Sequence, residues 1–345
     1  MNFITKGNTE MLVFFEEFVE FLERLAGRTE LFAPVKENGE IVLKYWKSMD
    51  SDGIPVLDKY RPIDSLKILL FQPRNDVLTY LESEERILLG VKSCDLRAIQ
   101  LLDIALLEGD YVDPVYKEFR EKTLIISSDC TEAKSSCHCI LQGINPYPEE
   151  HYDVSLSSIG KRLLLRSGSE KGERFLKLLS KNLTAFEETP DVVDVLKNQR
   201  EKIRTLVCEI NSQWSLGSKD KGEKLNIFDT NAVDSCIECG GCNFVCPTCY
   251  CFIMSDESKN KSFSKVRTWD SCQLKGYARV AGGGNPRPEL YKRFNHRYNC
   301  KFNYMVKQLS MSGCTGCGRC IDVCPAGIDI RSTMRFMREE MKVKK

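Results

Sequence analysis

Long apolar runs, net charge and histidine are all scarce in this chain of 345 residues. No run of about 18 apolar residues occurs, so no transmembrane helix is predicted. The N-terminal stretch turns acidic where a secretory signal peptide would need an apolar core. The 50 Lys and Arg against 49 Asp and Glu leave a formal net charge of +1, which gives no electrostatic basis for a nucleic-acid partner. These absences predict a cytoplasmic protein with no membrane span.

Motifs for covalent or nucleotide chemistry are also missing. The chain has three histidines, and none stands in a recognisable Cys/His or Ser/His arrangement, so we assign no catalytic residue. No Walker motif is present, and the glycines of 281–284 lack the strand and helix of a dinucleotide-binding turn. We therefore expect no nicotinamide site and no catalysis by this chain alone.

What the sequence does contain is 17 cysteines. Their share is below the roughly 8–10 % that marks a small disulfide scaffold, and the chain is too long to be one. The number is odd, so complete internal pairing is impossible. Thiols stay reduced in the cytoplasm, and metal ligation is then the best explanation for so many of them.

The periodicity of the first half predicts an α/β domain. Apolar residues at helical spacing over 12–25 predict a helix, and two apolar runs around Asn38-Gly39 predict a β-hairpin. Buried strands at 87–91 and 123–128 enclose a helix at 95–109, which is the order of a right-handed parallel β-α-β unit.

The second half loses clear periodicity and is rich in Cys, Gly and Pro. The predicted fold class is thus α+β, with a domain like a bacterial ferredoxin after the α/β domain. The predicted boundaries are 1–215 for the α/β domain, 216–227 for a polar linker and 228–345 for the second domain.

One motif occurs twice in the second half. Residues 236–247 read CIECGGCNFVCP and residues 314–325 read CTGCGRCIDVCP, each with the spacing C-x2-C-x2-C-x3-C-P. In two-cluster ferredoxins the first three thiolates of such a run bind one [4Fe–4S] cluster and the fourth binds the other. The alternatives are disulfides or structural zinc, which uses isolated C-x2-C pairs and often His. The predicted ligands are Cys236, Cys239, Cys242 and Cys324 for cluster one, and Cys314, Cys317, Cys320 and Cys246 for cluster two.

A second group of thiols lies in the first half. Cys94 and Cys130 each follow a predicted parallel strand, so both fall at the same edge of the sheet. With Cys137 and Cys139 they make four thiols and predict a third [4Fe–4S] cluster. The alternatives are buried or surface thiols without a metal, or a zinc site.

The remaining cysteines carry weaker signals. Cys249, Cys251 and Cys272 could hold a further cluster, assist a flavin contact or pack without a ligand. Cys208 lies in an apolar helical stretch and is expected to be a small core residue. Cys300 has no cysteine neighbour in sequence and is expected to be a free thiol.

With these motifs placed, the whole chain resembles the 4Fe-4S dicluster family that contains the beta subunit of cytosolic NAD(P)-dependent [NiFe] hydrogenases (sulfhydrogenases) and an iron–sulfur subunit of anaerobic sulfite reductase. The resemblance is carried by the two ferredoxin runs and by SCDLRAIQLLD (93–103), DYVDPVYKEFRE (110–121), SSDC…CHC (127–139), CPTCYCF (246–252) and WDSC (269–272). The family's Ala-Gly-Gly-His segment reads Ala-Gly-Gly-Gly here, with Gly284 in the His position.

This resemblance implies an electron-relay subunit of a hetero-oligomeric complex. Its partners would be a flavin-containing subunit that oxidises NAD(P)H and a catalytic redox subunit, either a hydrogenase, a sulfite reductase or a heterodisulfide-reductase-like assembly. The family also carries thiols at the positions of the four N-terminal cysteines. Two functions of other classes stay open: a stand-alone iron–sulfur oxidoreductase, and a redox-sensing iron–sulfur protein.

Overall fold

A computed structural model of the chain describes residues 9–48, 53–77, 83–184, 186, 190–214, 230–259 and 262–334. Two compact units emerge from its contacts. The N-terminal unit comprises Met1–Asp64, Glu82–Arg97 and Glu118–Ile210, and the C-terminal unit comprises Ser65–Leu81, Ala98–Lys117 and Asn211–Lys345.

The predicted linker, 216–227, lies outside the described residues, so the boundaries 1–215 and 228–345 stay a prediction. The two units differ from that division in one respect, because segments 65–81 and 98–117 group with the C-terminal unit. Such grouping depends on contacts distant in sequence, which local composition does not reveal.

Ten strands form two sheets. The strands are β1 Glu10–Phe14, β2 Glu30–Glu37, β3 Glu40–Tyr45, β4 Arg74–Asp76, β5 Arg86–Val91, β6 Thr123–Ser128, β7 Val154–Ile159, β8 Arg162–Ser167, β9 Phe252–Lys259 and β10 Ser262–Trp269. The N-terminal unit holds a seven-stranded sheet in the order β1-β8-β7-β6-β5-β2-β3, and the C-terminal unit holds the sheet β4-β10-β9.

The centre of the large sheet is parallel. Strands β2, β5, β6 and β7 pair in parallel, while β3, β8 and β1 add antiparallel edges. The connection from β5 to β6 contains helices, so the predicted parallel β-α-β unit is confirmed. Asn38 and Gly39 both have positive φ, of 48° and 84°. These are the dihedrals of a two-residue type I′ turn, and they close the predicted hairpin of β2 and β3.

Eleven α-helices are described: α1 Phe15–Ala26, α2 Lys67–Leu70, α3 Ser93–Leu107, α4 Pro114–Glu121, α5 Glu170–Ser180, α6 Pro190–Ile210, α7 Thr230–Ser235, α8 Gly241–Phe244, α9 Leu290–Asn299, α10 Met305–Leu309 and α11 Arg319–Asp322. A π-helical segment, Cys300–Tyr304, joins α9 to α10. No helix of the described residues is long and apolar enough to cross a membrane.

The predicted helix over 12–25 is wrong at its start. Residues Glu10–Phe14 form the edge strand β1, and the helix begins at Phe15. Leu12 pairs with Leu164 of β8 across more than 150 residues of sequence. A short apolar run such as 10–14 is compatible with a helix or a strand. Pairing with the distant strand β8 therefore decides that this segment is a strand.

The core of the N-terminal unit lies against the large sheet. Phe18 and Leu22 of α1 pack with Ile126, Leu156 and Leu165 of the strands, and all five side chains are buried. Burying aliphatic and aromatic side chains of this size contributes about 1.5–3 kcal/mol each. This unit is therefore stabilised mainly by apolar packing.

The C-terminal unit has little regular structure outside its three-stranded sheet. Many of its helices are one or two turns long. Phe294, Tyr298, Ile330 and Met334 form a small buried cluster that also includes the thiol of Cys314. In this unit a cysteine is therefore part of the buried apolar cluster.

Candidate metal centres

The two ferredoxin runs have the same backbone course. Helix α8 and helix α11 occupy equivalent positions 78 residues apart, and each is preceded by a glycine with positive φ, Gly240 at 72° and Gly318 at 76°. The two helices pack against each other. The sequence repeat is thus also a structural repeat within the C-terminal unit.

The thiols predicted for cluster one line a single cavity. Cys236, Cys239 and Cys242 come from the first run, and Cys324 comes from the end of the second. The cavity measures about 530 Å³, counting the space open to solvent. Burial raises the pKa of Cys236, and the nearby thiols of Cys324 and Cys239 raise it further. The structure therefore brings these four residues together in the crossed arrangement that the spacing predicts.

The thiols predicted for cluster two also converge. The pKa of Cys320 is raised to about 12, mainly by burial and then by the thiols of Cys317, Cys314 and Cys246, while Arg297 opposes the rise. Burial likewise raises the pKa of Cys314, with smaller contributions from Cys317 and Cys246. Cys246 of the first run thus lies among three thiols of the second.

Three buried cations accompany these thiols. Lys67, Arg297 and Lys301 are 3 %, 5 % and 2 % exposed, and none pairs with a carboxylate among the described residues. A buried charge is costly unless an opposite charge or strong hydrogen bonds compensate it. The local groups able to supply negative charge are cysteines, and thiolates bound to a cluster at these positions would compensate the cations.

Lys301 makes the most direct contact. Its Nζ donates to Cys246 Sγ at 3.1 Å, to Thr248 Oγ1 at 3.0 Å and to the Gly313 carbonyl at 3.0 Å. Burial acts to lower the pKa of Lys301, but the thiols of Cys246 and Cys249 hold it well above its usual value. The ammonium therefore stays charged beside a candidate ligand.

The residues at the cavity fit a [4Fe–4S] cluster. The donors are all thiols, which is the ligand set of such clusters. Arg297 lines the same cavity, and its buried Nη2 has no hydrogen-bond partner among the described residues. A sulfide or thiolate sulfur in the cavity would accept from this donor. No three His, Cys, Asp or Glu side chains of the described residues are close enough to hold a single metal ion. In a cubane, by contrast, each thiolate binds a different iron.

Two of the four N-terminal thiols lie near a different lysine. Lys92 is 1 % exposed and donates to the carbonyls of Leu57 and Asp129 and to Ser128 Oγ at 2.7–2.9 Å. Burial lowers its pKa, and the thiols of Cys130 and Cys94 act in the opposite direction. Both thiols that the strand order places at one sheet edge are thus near the same buried cation.

Cys137 and Cys139 complete this group. The pKa of Cys139 is raised, first by burial and then by the thiols of Cys130 and Cys137. Cys130 and Cys139 pack with Ile203 and Val207 of α6. The pKa of Cys130 is raised to about 12 by burial, partly offset by Lys92. The structure thus brings Cys130, Cys137 and Cys139 together after β6, and Cys94 lies near the same lysine as Cys130.

Five cysteines lie outside the three predicted cluster sites, and the structure contradicts the prediction for one of them. Cys208 is exposed, so its prediction as a core residue is wrong. The reason is that helix α6 is amphipathic and Cys208 lies one position past the buried Val207. Cys249, Cys251 and Cys272 flank the β9–β10 hairpin, and Cys300 begins the π-helical segment.

Sequence reasoning passed over the cations. Lys67 and Arg297 are distant from any ferredoxin run in sequence, and no local pattern marks them. Lys301 follows a cysteine directly, but a lysine beside a cysteine is not a recognised signal. Their role depends on folding, which places each charge against the thiols.

Comparison with known proteins agrees with this geometry. Residues 235–328 match the family model of the 4Fe-4S dicluster domain. Over 335 residues the chain is 29 % identical to the beta subunit of sulfhydrogenase 2 from Pyrococcus furiosus, and the match covers 94 % of this chain and 97 % of the relative. The predicted ferredoxin-like domain and the predicted resemblance are both confirmed.

Proposed function

We propose that this chain, which carries a 4Fe-4S dicluster domain, is the electron-relay subunit of a cytoplasmic oxidoreductase complex. It would pass single electrons between a flavin-containing subunit that oxidises NAD(P)H and a catalytic subunit. The name of its relative, a sulfhydrogenase beta subunit, makes a hydrogenase the first candidate for that catalytic subunit. A sulfite reductase or a heterodisulfide-reductase-like assembly are the other candidates.

The observation that carries the proposal is the pairing of buried cations with crossed sets of thiols. Cys236, Cys239, Cys242 and Cys324 would hold one cluster, and Cys314, Cys317, Cys320 and Cys246 a second. Cys246 and Cys324 each belong to one run and would bind the cluster of the other, so the two clusters would be neighbours. Neighbouring clusters suit electron transfer better than separate structural metal sites do.

The chain's own residues have three tasks in this relay. The cysteines hold the clusters, and burial keeps water from them. Lys301 and Arg297 place positive charge beside them, which favours the reduced, more negative state. When bound, the clusters accept and release one electron at a time at potentials set by charge, burial and hydrogen bonds to sulfur.

The N-terminal unit would contribute a third cluster, held by Cys94, Cys130, Cys137 and Cys139. The proximity of Cys94 and Cys130 to Lys92 supports this assignment. A buried ammonium near two of the four thiols resembles the arrangement in the C-terminal unit. The chain would then be a relay of at least three sites rather than a simple two-cluster ferredoxin.

The proposal is tested with the chain purified anaerobically, both alone and in its native complex. Iron and acid-labile sulfide are expected near twelve of each per chain, at four per cubane. In the complex, NAD(P)H is expected to bleach the visible absorbance of the clusters. The isolated chain is expected to be bleached by dithionite but not by NAD(P)H, because its sequence carries no recognisable nicotinamide-binding motif.

The opposite results identify the alternatives. Bleaching of the isolated chain by NAD(P)H would show a stand-alone oxidoreductase. Clusters that stay redox-silent between about −700 and +450 mV, the span of such sites, would exclude a relay. Zinc in place of iron would exclude the iron–sulfur assignment altogether.

A further inference from the structure

Four cysteines of the C-terminal unit remain outside the two ferredoxin quartets, and folding gathers them. Cys249 and Cys251 precede β9, Cys272 follows β10, and Cys300 begins the π-helical segment. Cys249 and Cys300 are 51 residues apart in sequence, so the cysteine spacing alone does not predict that they share a site. Three observations place Cys251, Cys272 and Cys300 side by side. Cys249 joins them through its position two residues before Cys251, and its thiol also lies beside Cys246.

The first observation is the register of the β9–β10 hairpin. Phe252 pairs with Trp269, and just beyond this pair the amide of Asp270 donates to the carbonyl of Cys251 at 2.9 Å. Cys272 follows Asp270 by two residues. The hairpin therefore places Cys251 and Cys272 at its open end, just outside the paired strands β9 and β10.

The second observation is how Cys272 is held. Asn243 Nδ2 donates to Cys272 Sγ at 2.9 Å, and Cys272 is 5 % exposed. Asn243 lies in α8, between the ferredoxin thiols Cys242 and Cys246. A buried sulfur that accepts an N–H hydrogen bond is in the environment that iron–sulfur ligands have.

The third observation is the course of the chain at Cys300. The π-helical turn begins at this residue, and such wide turns frequently occur at functional sites. Cys300 and Tyr250, the residue between Cys249 and Cys251, both pack against the buried cluster of Leu101, Met305 and Met311. The pKa of Cys251 is raised to about 11, first by burial and then by the thiols of Cys272 and Cys300.

A buried lysine, Lys67, lies beside this group of cysteines. Lys67 Nζ donates to the carbonyl of Cys249 at 2.8 Å and lies 3.9 Å from the centre of the Trp269 ring. Burial lowers the pKa of Lys67, and the thiols of Cys249, Cys246 and Cys251 act against this. A negatively charged group beside Cys249 and Cys251 would compensate this buried cation, as it would Lys301 beside Cys246.

We propose that Cys249, Cys251, Cys272 and Cys300 bind a further [4Fe–4S] cluster in the C-terminal unit. The set consists of four thiols and no histidine or carboxylate, which is the donor set of a cubane. It adds a site to the relay proposed above, but its existence does not depend on the relay. Cys300 is thus assigned as a ligand, in place of the free thiol expected from the sequence.

Iron and sulfide analysis of the full chain tests this site. The variants are Cys251→Ala and Cys300→Ala, and the control is Cys208→Ala, which removes an exposed thiol. Each of the first two is expected to lose about four irons and four sulfides relative to the unsubstituted chain. The control is expected to lose none. The EPR signals of the remaining reduced clusters should persist in all three variants, which separates loss of one site from misfolding.

Several outcomes would overturn the proposal. These are unchanged iron in Cys251→Ala and Cys300→Ala, loss of every cluster signal in both, or zinc bound in the unsubstituted chain and lost from the variants. The count of iron is independent of electron flow. If the clusters are present but pass no electrons, the relay fails while this site stands.

Discussion

The two units of the molecule hold their thiols in opposite ways. In the N-terminal unit, 19 buried apolar residues form a core against the large sheet, and the four cysteines follow the carboxyl ends of its central strands β5 and β6. In the C-terminal unit, a buried cluster near the ferredoxin runs has five members, one of which is Cys314. We infer that the apolar core of the N-terminal unit folds without a cluster and positions its cysteines. The C-terminal unit, by contrast, depends on bound clusters for its folded structure.

Removal of the clusters should produce the largest difference in stability between the two units. Treatment with an iron chelator and an oxidant is expected to unfold the C-terminal unit, because binding energy at such sites is folding energy. The N-terminal sheet should keep its structure. Hydrogen exchange measured by mass spectrometry should show protection factors that fall by about 100-fold or more at α8, α9 and α11.

The same measurement contains its own control. Peptides from β5, β6 and β7 report on the sheet and should change by less than about tenfold. Equal loss of protection in both units would contradict the proposed difference between them.

A core substitution should produce the converse effect. Leu165 in β8 is fully buried and pairs with Met11 of β1 and Leu156 of β7. The variant Leu165→Ala is expected to destabilise the N-terminal unit by about 2–5 kcal/mol through lost burial and a cavity. Denaturant unfolding followed by circular dichroism measures this change.

Leu178→Ala provides the matched control, because Leu178 is 44 % exposed on helix α5. Its effect should be within about 0.5 kcal/mol. The absorbance of the ferredoxin clusters should be unchanged in both variants. Loss of those clusters in Leu165→Ala would mean that the units do not fold separately.

Removal of the buried charge of Lys301 should change the midpoint potential of the neighbouring cluster more than it changes the free energy of unfolding. Lys301→Met keeps most of the side-chain volume but removes the ammonium that donates to Cys246. The reduced cluster at that site would lose a nearby positive charge, so its midpoint potential should fall by on the order of 100 mV. An EPR-monitored redox titration measures the shift.

Lys307→Met removes an exposed lysine from the same stretch of chain. Screening by water should keep its effect below about 20 mV. A similar shift in both variants would show that net charge, rather than the contact with Cys246, determines the potential.

Much of this organisation could be predicted because it is local. Strand β6 has the bounds that its apolar run predicts, 123–128. The ferredoxin runs carry their geometry in short spacings, so Cys236, Cys239 and Cys242 were recognisable without a structure. The proximity of Cys94 to Cys130 follows from the parallel direction of β5 and β6, whose carboxyl ends lie on the same side of the sheet.

The features that escaped prediction all depend on distant partners. Strand β1 is an edge strand only because β8 pairs with it. The three-stranded sheet joins Arg74–Asp76 to a hairpin nearly 200 residues later. Lys67 reaches the carbonyl of Cys249 across a similar distance. Neither apolar periodicity nor cysteine spacing contains information on such contacts.

The smallest expected effect concerns a thiol of the N-terminal unit. Cys130→Ala should remove the predicted third cluster and lower the iron content by about four per chain. Because Cys130 lies outside the large apolar core of this unit and only borders the small cluster of Ile203 and Val207, the free energy of unfolding should change by less than about 1 kcal/mol. Cys208→Ala, which removes an exposed thiol of the same unit, is the control for both measurements. Unchanged iron in Cys130→Ala would exclude the third cluster. A loss of about 3 kcal/mol or more would instead show that this unit depends on its metal as the C-terminal unit does, and the contrast between the two would not hold.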